Sequence, residues 1–299
     1  MILTIFTPVY NRAHLIHKLY DSLINQTNQN FVWLIVDDGS TDNIKNIIEE
    51  YRKSAKFEVR YIYQENQGKH TAHNLGVANC NTELFFCVDS DDFLTSNAVE
   101  RIYEIHDKYS GHSTLGYYFR KMDTQNKISG GKFLFNNELV GLSELYFNYG
   151  FVGELAIILK TDLIKPYAFP VFAGERFVSE NVFYNQITSI APMVWVDEVI
   201  YIFEYQQTGY TLNSSKLLLK NPRGVAMGYL SNAIYGTKII DRAKAYAAFI
   251  AMKKVFKITS RQYCDSIIPK SIKLIGTLLK NHYKKLFKNL KKLSGMDEK

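Results

Sequence analysis

Cysteine is scarce in this 299-residue chain. Cys80, Cys87 and Cys264 form no CxxC pair and no Cys/His spacing suited to a metal. That excludes a disulfide framework and argues against a structural zinc site. Long apolar runs are missing as well; the longest, 245–252, falls far short of the roughly 20 residues a membrane-spanning helix needs. The opening Met1-Ile2-Leu3-Thr4-Ile5-Phe6-Thr7-Pro8 has no basic stretch before its apolar residues and meets a proline early. It does not read as a signal peptide. No internal repeat and no low-complexity linker occurs. These absences predict a protein of a reducing compartment, soluble or peripheral to a membrane.

Net positive charge is absent from most of the chain. The whole carries +7, with 36 basic and 29 acidic residues, but 266–299 alone holds nine lysines against two acids. Residues 1–265 are therefore neutral, with 27 groups of each sign. A nucleic-acid surface needs basic groups spread over the fold, so nucleic acid is not an expected partner. What the chain does have is core material. At 46% hydrophobic and 14% aromatic, it can bury a substantial core and is far from a disordered composition.

Short apolar runs at 2–6, 31–36, 59–63 and 84–88 alternate with amphipathic stretches at 12–26, 42–48 and 68–79. Strand and helix in alternation with short links predict a parallel sheet covered on both faces. Ligands of such sheets bind at the carboxyl ends of the strands. Those ends carry Thr7-Pro8, Asp37-Asp38 and Asp89-Ser90-Asp91-Asp92. Further strand-like pieces lie at 116–122, 155–159 and 193–196 in an irregular aromatic middle, and the sequence turns helical and lysine-rich after Leu212.

Three carboxylates within four residues at 89–92 repel one another, and a divalent cation relieves that conflict. Oxygen ligands favour Mg²⁺ or Mn²⁺ shared with substrate phosphates. The alternative is an acidic cap on the helix that begins just afterwards. Asp37 to Asp42 reads either as a polar turn or as a carboxylate placed to accept the imide N–H of uracil. Pro8 to Arg12 supplies a flat ring and a cation at the same edge, or simply starts a helix. Gly68-Lys69 opens a helix whose free N–H groups suit a diphosphate.

Taken in order, Thr7-Pro8-Val9-Tyr10-Asn11-Arg12, Val36-Asp37-Asp38-Gly39-Ser40-Thr41-Asp42, Glu65-Asn66-Gln67-Gly68-Lys69 with Asn74-Leu75-Gly76, and Val88-Asp89-Ser90-Asp91-Asp92 resemble the family 2 glycosyltransferases. The resemblance is close over about the first 110 residues, looser to about Thr211, and absent from the tail. It implies a GT-A fold: an α/β, Rossmann-like, mostly parallel sheet with flanking helices, here followed by a helical C-terminal extension. Residues 1–212 would form the catalytic domain, with 1–110 binding the nucleotide-sugar and 111–212 facing the acceptor. Residues 213–299 would form the basic extension.

The resemblance further implies metal-dependent transfer, with inversion, of a hexose or N-acetylhexosamine from a UDP-sugar to a glycan or glycolipid hydroxyl. Such chemistry belongs to bacterial polysaccharide and cell-surface glycan synthesis. Thr7, Pro8, Tyr10, Arg12, Asp38, Lys69, Asn74, Asp89 and Ser90 would hold the donor. Asp91 and Asp89 would hold Mn²⁺ or Mg²⁺, with Asp91 as the direct ligand. The family's base is an acid about four residues before an aromatic, which places Glu180 ahead of Tyr184. Glu175 is the runner-up, and Asn181 stands where the family commonly has aspartate. Val182, Phe183 and Ile187 allow a plain surface helix there instead. Tyr210 is a candidate acceptor contact. His70 and His73 read as solvent-facing or phosphate-neighbouring rather than as a metal pair.

From Ile275, apolar residues recur at Leu279, Tyr283, Leu286, Leu290 and Leu293 among lysines, and no acid occurs between Asp265 and Asp297. The stretch 270–293 predicts either an amphipathic helix on an anionic membrane or one packed on the body, and the lipid reading is preferred. Localisation follows as cytoplasmic and peripheral at the inner face of the cell membrane. The rival readings are a nucleotidyltransferase, which would normally carry a glycine- and basic-rich loop where Thr7–Arg12 has no glycine, and a non-catalytic glycan- or nucleotide-binding module.

Overall fold

Alternation of period dominates the first hundred residues. The computed structural model describes residues 1–131, 136, 138–141, 144–145, 149–188, 190–204, 214–259 and 268–293. In chain order it begins β1 (Leu3–Val9), α1 (Ile16–Ile24), β2 (Phe31–Asp38), α2 (Ile44–Ser54), β3 (Glu58–Gln64), α3 (Lys69–Asn79) and β4 (Leu84–Cys87). β1 pairs in parallel with β2 and β4, and β2 in parallel with β3. The four strands therefore end at one edge.

Two strands run past their expected ends. All eight residues of β2 are buried, Asp37 and Asp38 included. β1 continues through Thr7-Pro8 because β4 stops early. Phe6 O accepts from Val88 N at 2.8 Å, so the N–H that Pro8 lacks would point to that same side, beyond the end of β4. α1 starts later than its apolar spacing suggests, because residues 11 and 13 are bonded elsewhere. Asn11 N donates to Ser40 Oγ at 2.9 Å and Ala13 N to Asp42 Oδ2 at 2.9 Å.

The sheet is completed by β5 (Phe93–Leu94), β6 (Gly116–Asp123), β7 (Leu139–Val140), β8 (Leu155–Lys160) and β9 (Met193–Phe203), with α4 (Ala98–Tyr109) and α5 (Thr161–Ile164) between them. Its order is β3-β2-β1-β4-β8-β6-β9-β5, with β7 on β9. β8 is antiparallel to both neighbours, and β6 runs parallel to β9. β9 extends well beyond the expected 193–196. Its acidic middle is neutralised in place: Arg120 Nη1 lies 2.7 Å from Asp197 Oδ1, and Arg101 donates to Glu198 at 2.8 and 2.7 Å. Trp33, Phe86, Tyr117, Phe119 and Tyr201 form the centre of the core.

Contacts divide the chain into two units. The first, Met1–Leu142, Gly150–Ala168 and Ile187–Gln206, contains the sheet. The second, Ser143–Tyr149, Phe169–Gln186 and Gln207–Lys299, holds most of α6 (Asn181–Ile187), then α7 (Ser214–Lys220), α8 (Pro222–Tyr235), α9 (Ile239–Val255) and α10 (Lys270–Leu293). Leu230, Ala243, Phe249, Met252, Ile272 and Phe287 make its core. At Gly276 α10 lies so close to α9 that an added Cβ would stand 2.8 Å from Ala243 O.

That packing takes up part of the amphipathic stripe expected in the tail. Ile275, Tyr283 and Leu290, expected on lipid, pack against this core instead. α9 offers Ala243, Ala247, Ala248 and Ala251 as a low surface for them. Among the described residues no helix is long and apolar enough to cross a membrane.

Candidate active site

The site is built on the shared edge of β1 to β4. Register places Val9 beside Asp37 and Asp38 beside Gln64. Asp38 is 4% exposed, and its carboxylate is engaged by the next loop. Gln64 Nε2 and Gln67 N donate to Oδ1 at 2.7 and 2.8 Å, and Gly68 N donates to Oδ2 at 2.8 Å. Gly68 has φ +101, left-handed backbone that brings its amide back to Asp38 as α3 begins. A charged acceptor bonded by two backbone amides is a strong anchor. Asp37 holds the other side of the edge, accepting from Ser40 N at 2.8 Å and Tyr61 OH at 2.5 Å. Burial and the bond to Asp37 together raise the Tyr61 hydroxyl far above its ordinary value.

One residue after Gly68, Lys69 Nζ lies 2.8 Å from Asp89 Oδ1, each side chain 35% exposed. Burial opposes ionisation of Asp89, yet Lys69, Lys121 and Arg12 hold its carboxyl below the ordinary value. Asp91 is shifted the other way, upward, by burial and then by the charge of Asp89, with Arg12 and Lys69 opposing. Three cations and two half-exposed carboxylates thus act on one another at a single edge. Tyr10, 45% exposed, stands on the first loop of that edge.

Asp92, the third acid, is a structural group. It accepts Tyr201 OH at 2.6 Å and Glu204 N at 3.1 Å, and Tyr201 OH in turn accepts Asp89 N at 3.1 Å. Burial, and then the charge of Asp89, push its carboxyl up to about 7. Tyr201 is raised well above the ordinary value by burial and by Asp92. Lys121 Nζ sits 3.9 Å over the Tyr201 ring and 3.6 Å from Glu154. Sequence reasoning missed Lys121. Its signal was Arg120-Lys121, two adjacent cations inside an otherwise apolar strand.

Several expected contacts lie elsewhere. Thr7 is fully buried, and its Oγ1 accepts Trp33 Nε1 at 3.0 Å. It supports the edge from beneath. Pro8 and Ser90 are also buried, and Asn74 is half-buried on α3. His70 and His73 are not solvent-facing, at 4% and 6% exposure. His73 meets Phe6 and Phe85 edge-on, while burial lowers His70 to about 4.

Both candidate bases belong to the second unit. Glu175 is 7% exposed; it accepts Arg223 N and Nε at 3.0 and 2.8 Å and Gly224 N at 2.8 Å. It caps the first turn of α8, which gives it a structural role in place of a free carboxylate. Glu180 is exposed and stands just before α6, its carbonyl accepting from Phe183 N and Tyr184 N. Val182, Phe183 and Ile187 are buried on the far side of that turn. Asn181 donates to Gly228 O at 2.9 Å and Asn232 Oδ1 at 2.7 Å. An aspartate could make neither bond, which explains the amide at this position. Tyr210 lies outside the described residues.

Residues 4–166, more than half of the chain, match the family model "Glycosyl transferase family 2". The chain belongs to that family. A Campylobacter jejuni protein named GalNAc(5)-diNAcBac-PP-undecaprenol beta-1,3-glucosyltransferase is 24% identical over 276 residues, 87% of this chain and 84% of the relative. Other curated relatives are much longer, and the chain spans only 16–17% of their length. Among solved structures, Staphylococcus aureus TarS 1-349 in complex with UDP-GlcNAc has a TM-score of 0.60 at 18% identity, covering 86% of this chain and 73% of that one. The Pyrobaculum calidifontis mannosyltransferase PcManGT, with GDP-Man and Mn²⁺, has a TM-score of 0.54 at 15% identity, covering 99% and 83%. The mixed α/β sheet with its helices is thus the GT-A fold of those neighbours.

Among the described residues no group of three or more His, Cys, Asp or Glu side chains gathers to hold an ion by itself. Asp91 and Asp89 still fit a divalent cation that takes its remaining ligands from a diphosphate. The charge of Asp89 raises the cost of ionising Asp91, and hard oxygen donors are what Mg²⁺ and Mn²⁺ require.

Proposed function

We propose that this chain is an inverting glycosyltransferase that moves a hexose or N-acetylhexosamine from a UDP-sugar to a hydroxyl of a glycan or lipid-linked acceptor. Residues 1–212 supply the transfer chemistry, and 213–299 attach the enzyme to the cytoplasmic face of the membrane. The observation that carries the reading is the loop 64–69, fixed to Asp38 at one end and to Asp89 at the other. The nucleotide complex of TarS and the lipid-linked substrate in the Campylobacter name support the donor and acceptor classes.

In this reading the Tyr10 ring and Arg12 meet the uridine side of the donor, and Asp38 acts by holding the loop in place. Lys69 leaves Asp89 for the β-phosphate, where negative charge grows as the bond from the anomeric carbon to oxygen breaks. Asp91 and Asp89 would hold Mn²⁺ or Mg²⁺, which when bound stabilises the departing diphosphate. Glu180 takes the proton of the acceptor hydroxyl as that oxygen bonds to the anomeric carbon from the opposite face. UDP leaves, and the new glycosidic bond is inverted.

The test is UDP-sugar turnover, including hydrolysis, with Mn²⁺ for wild type beside Glu180→Gln. Turnover by wild type with a large loss in the variant supports the assignment. Absence of turnover in both, over a panel of nucleotide sugars, removes the enzymatic claim.

A further inference from the structure

Ile275, Tyr283 and Leu290 of the apolar stripe of α10 pack inside the second unit, yet the helix still carries large apolar side chains outward. Leu274 and Leu278 are 66% and 75% exposed. Spaced four apart, they stand one above the other on a single helical face. Structure within the unit gives no reason for them, since Ile272, Ile275, Tyr283, Phe287 and Leu290 already supply its core.

The flank of that face is cationic. α10 has no acidic residue over its 24 positions. Lys280, Lys284 and Lys288 follow at intervals of four on one side of the leucines, and Lys254 of α9 stands against them. Lys254 first, and then Lys288, depress the Lys284 ammonium below its ordinary value, so these like charges crowd one another. The nearby acid of α9, Asp241, is itself 3.9 Å from Lys244.

We propose that the outward face of α10, with Leu274 and Leu278 flanked by Lys284 and Lys288 and by Lys254 of α9, docks on an anionic lipid bilayer. This rests on the membrane-attached reading above and moves the attachment from the inner stripe, where the sequence places it, to the opposite side of the helix. The two kinds of residue together select the partner. Lysines alone suit any polyanion, but paired exposed leucines gain only where an apolar phase lies beneath the phosphates. At 1.5 Å per residue the helix is about 36 Å long, and lying flat it offers both leucines to one plane with Lys288 and Lys284 along its flank. No described helix is apolar enough to span, so the contact is peripheral.

The experiment is cosedimentation of the full chain with vesicles of equimolar phosphatidylglycerol and phosphatidylcholine, or of phosphatidylcholine alone, at physiological ionic strength. Wild type is expected to bind the anionic vesicles and not the neutral ones. Leu274→Ser with Leu278→Ser should weaken binding about 10-fold or more. Lys284→Glu with Lys288→Glu should weaken it at least about 30-fold, two cations being lost. Lys45→Glu with Lys56→Glu, the same charge change on exposed sites of the first unit, should bind as wild type. These side chains are exposed apart from the half-buried Lys284, and unchanged melting temperatures confirm that the variants are folded. If wild type binds anionic vesicles and both α10 variants match it, the face is wrongly assigned while membrane attachment stands. If wild type binds neither vesicle, both ideas fall.

Discussion

Lys69 is ion-paired to Asp89 at 2.8 Å, while the amide just before it, Gly68 N, is bonded at 2.8 Å to Asp38. One short turn therefore links the second strand's acid to the fourth strand's acid. The pair keeps a cation where the donor's diphosphate would lie. Lys69→Ala should lower turnover about 100-fold, the scale of losing one preorganised charge. Lys69→Arg should recover part of it. Steady-state kinetics on the two variants provide the check, and equal activity in Lys69→Ala and wild type would remove Lys69 from the site.

Asp38→Asn confronts three donors with a side chain that has one acceptor oxygen and an NH₂. One or two N–H groups of the loop lose their partner, at a cost of about 2 kcal/mol. Denaturant unfolding should show that loss. UDP affinity should fall with it, because the loop and Lys69 move together. Unchanged unfolding would mean that the loop is held by other bonds.

Glu175 and Glu180 make opposite predictions. Glu175→Gln should destabilise the protein by about 1 kcal/mol through its helix cap, with kcat little changed in the surviving native fraction. Glu180→Gln should leave the melting temperature within error and lower kcat about 1000-fold, with UDP binding intact. The two readouts together distinguish a cap from a base.

The pH dependence of stability contains two opposing contributions. Asp92 is raised from 3.8 to about 7 in the fold. Its contribution is full below the unfolded value and is lost as pH rises toward 7. His70 is lowered from 6.5 to about 4. Its contribution is full above 6.5 and is lost as pH falls toward 4. Between pH 4 and 6.5 the two slopes offset each other. Asp92→Asn should therefore expose the His70 slope, with melting temperature falling as pH drops through that window. His70→Gln should expose the Asp92 slope, with melting temperature falling as pH rises. Parallel profiles for both variants and wild type would contradict the assignment.

Much of the first unit was legible from sequence because a parallel sheet writes a change of period into the chain. Its three acidic or proline-bearing strand ends, at Thr7-Pro8, Asp37-Asp38 and Asp89 to Asp92, lie at one edge of the sheet. That Thr7 and Asp38 are covered was not legible, since their partners lie 26 to 30 residues away. The cap formed by Glu175 depends on residues 48 and 49 positions on, and no local pattern signals that. The amphipathic stripe of α10 was plain in the spacing of its residues. What covers it was not, because amphipathicity records that a face is buried and not against what. The alanines of α9 that accept it carry little signal on their own.

The central claim is that Asp89 and Asp91 share one nucleotide–cation site with the loop anchored by Asp38. Isothermal titration of UDP, with and without Mn²⁺, tests it most directly on wild type and Asp91→Asn. The account predicts binding heat for wild type that requires Mn²⁺ and is lost in the variant. No heat for wild type, or the same Mn²⁺-dependent heat in Asp91→Asn, would contradict it.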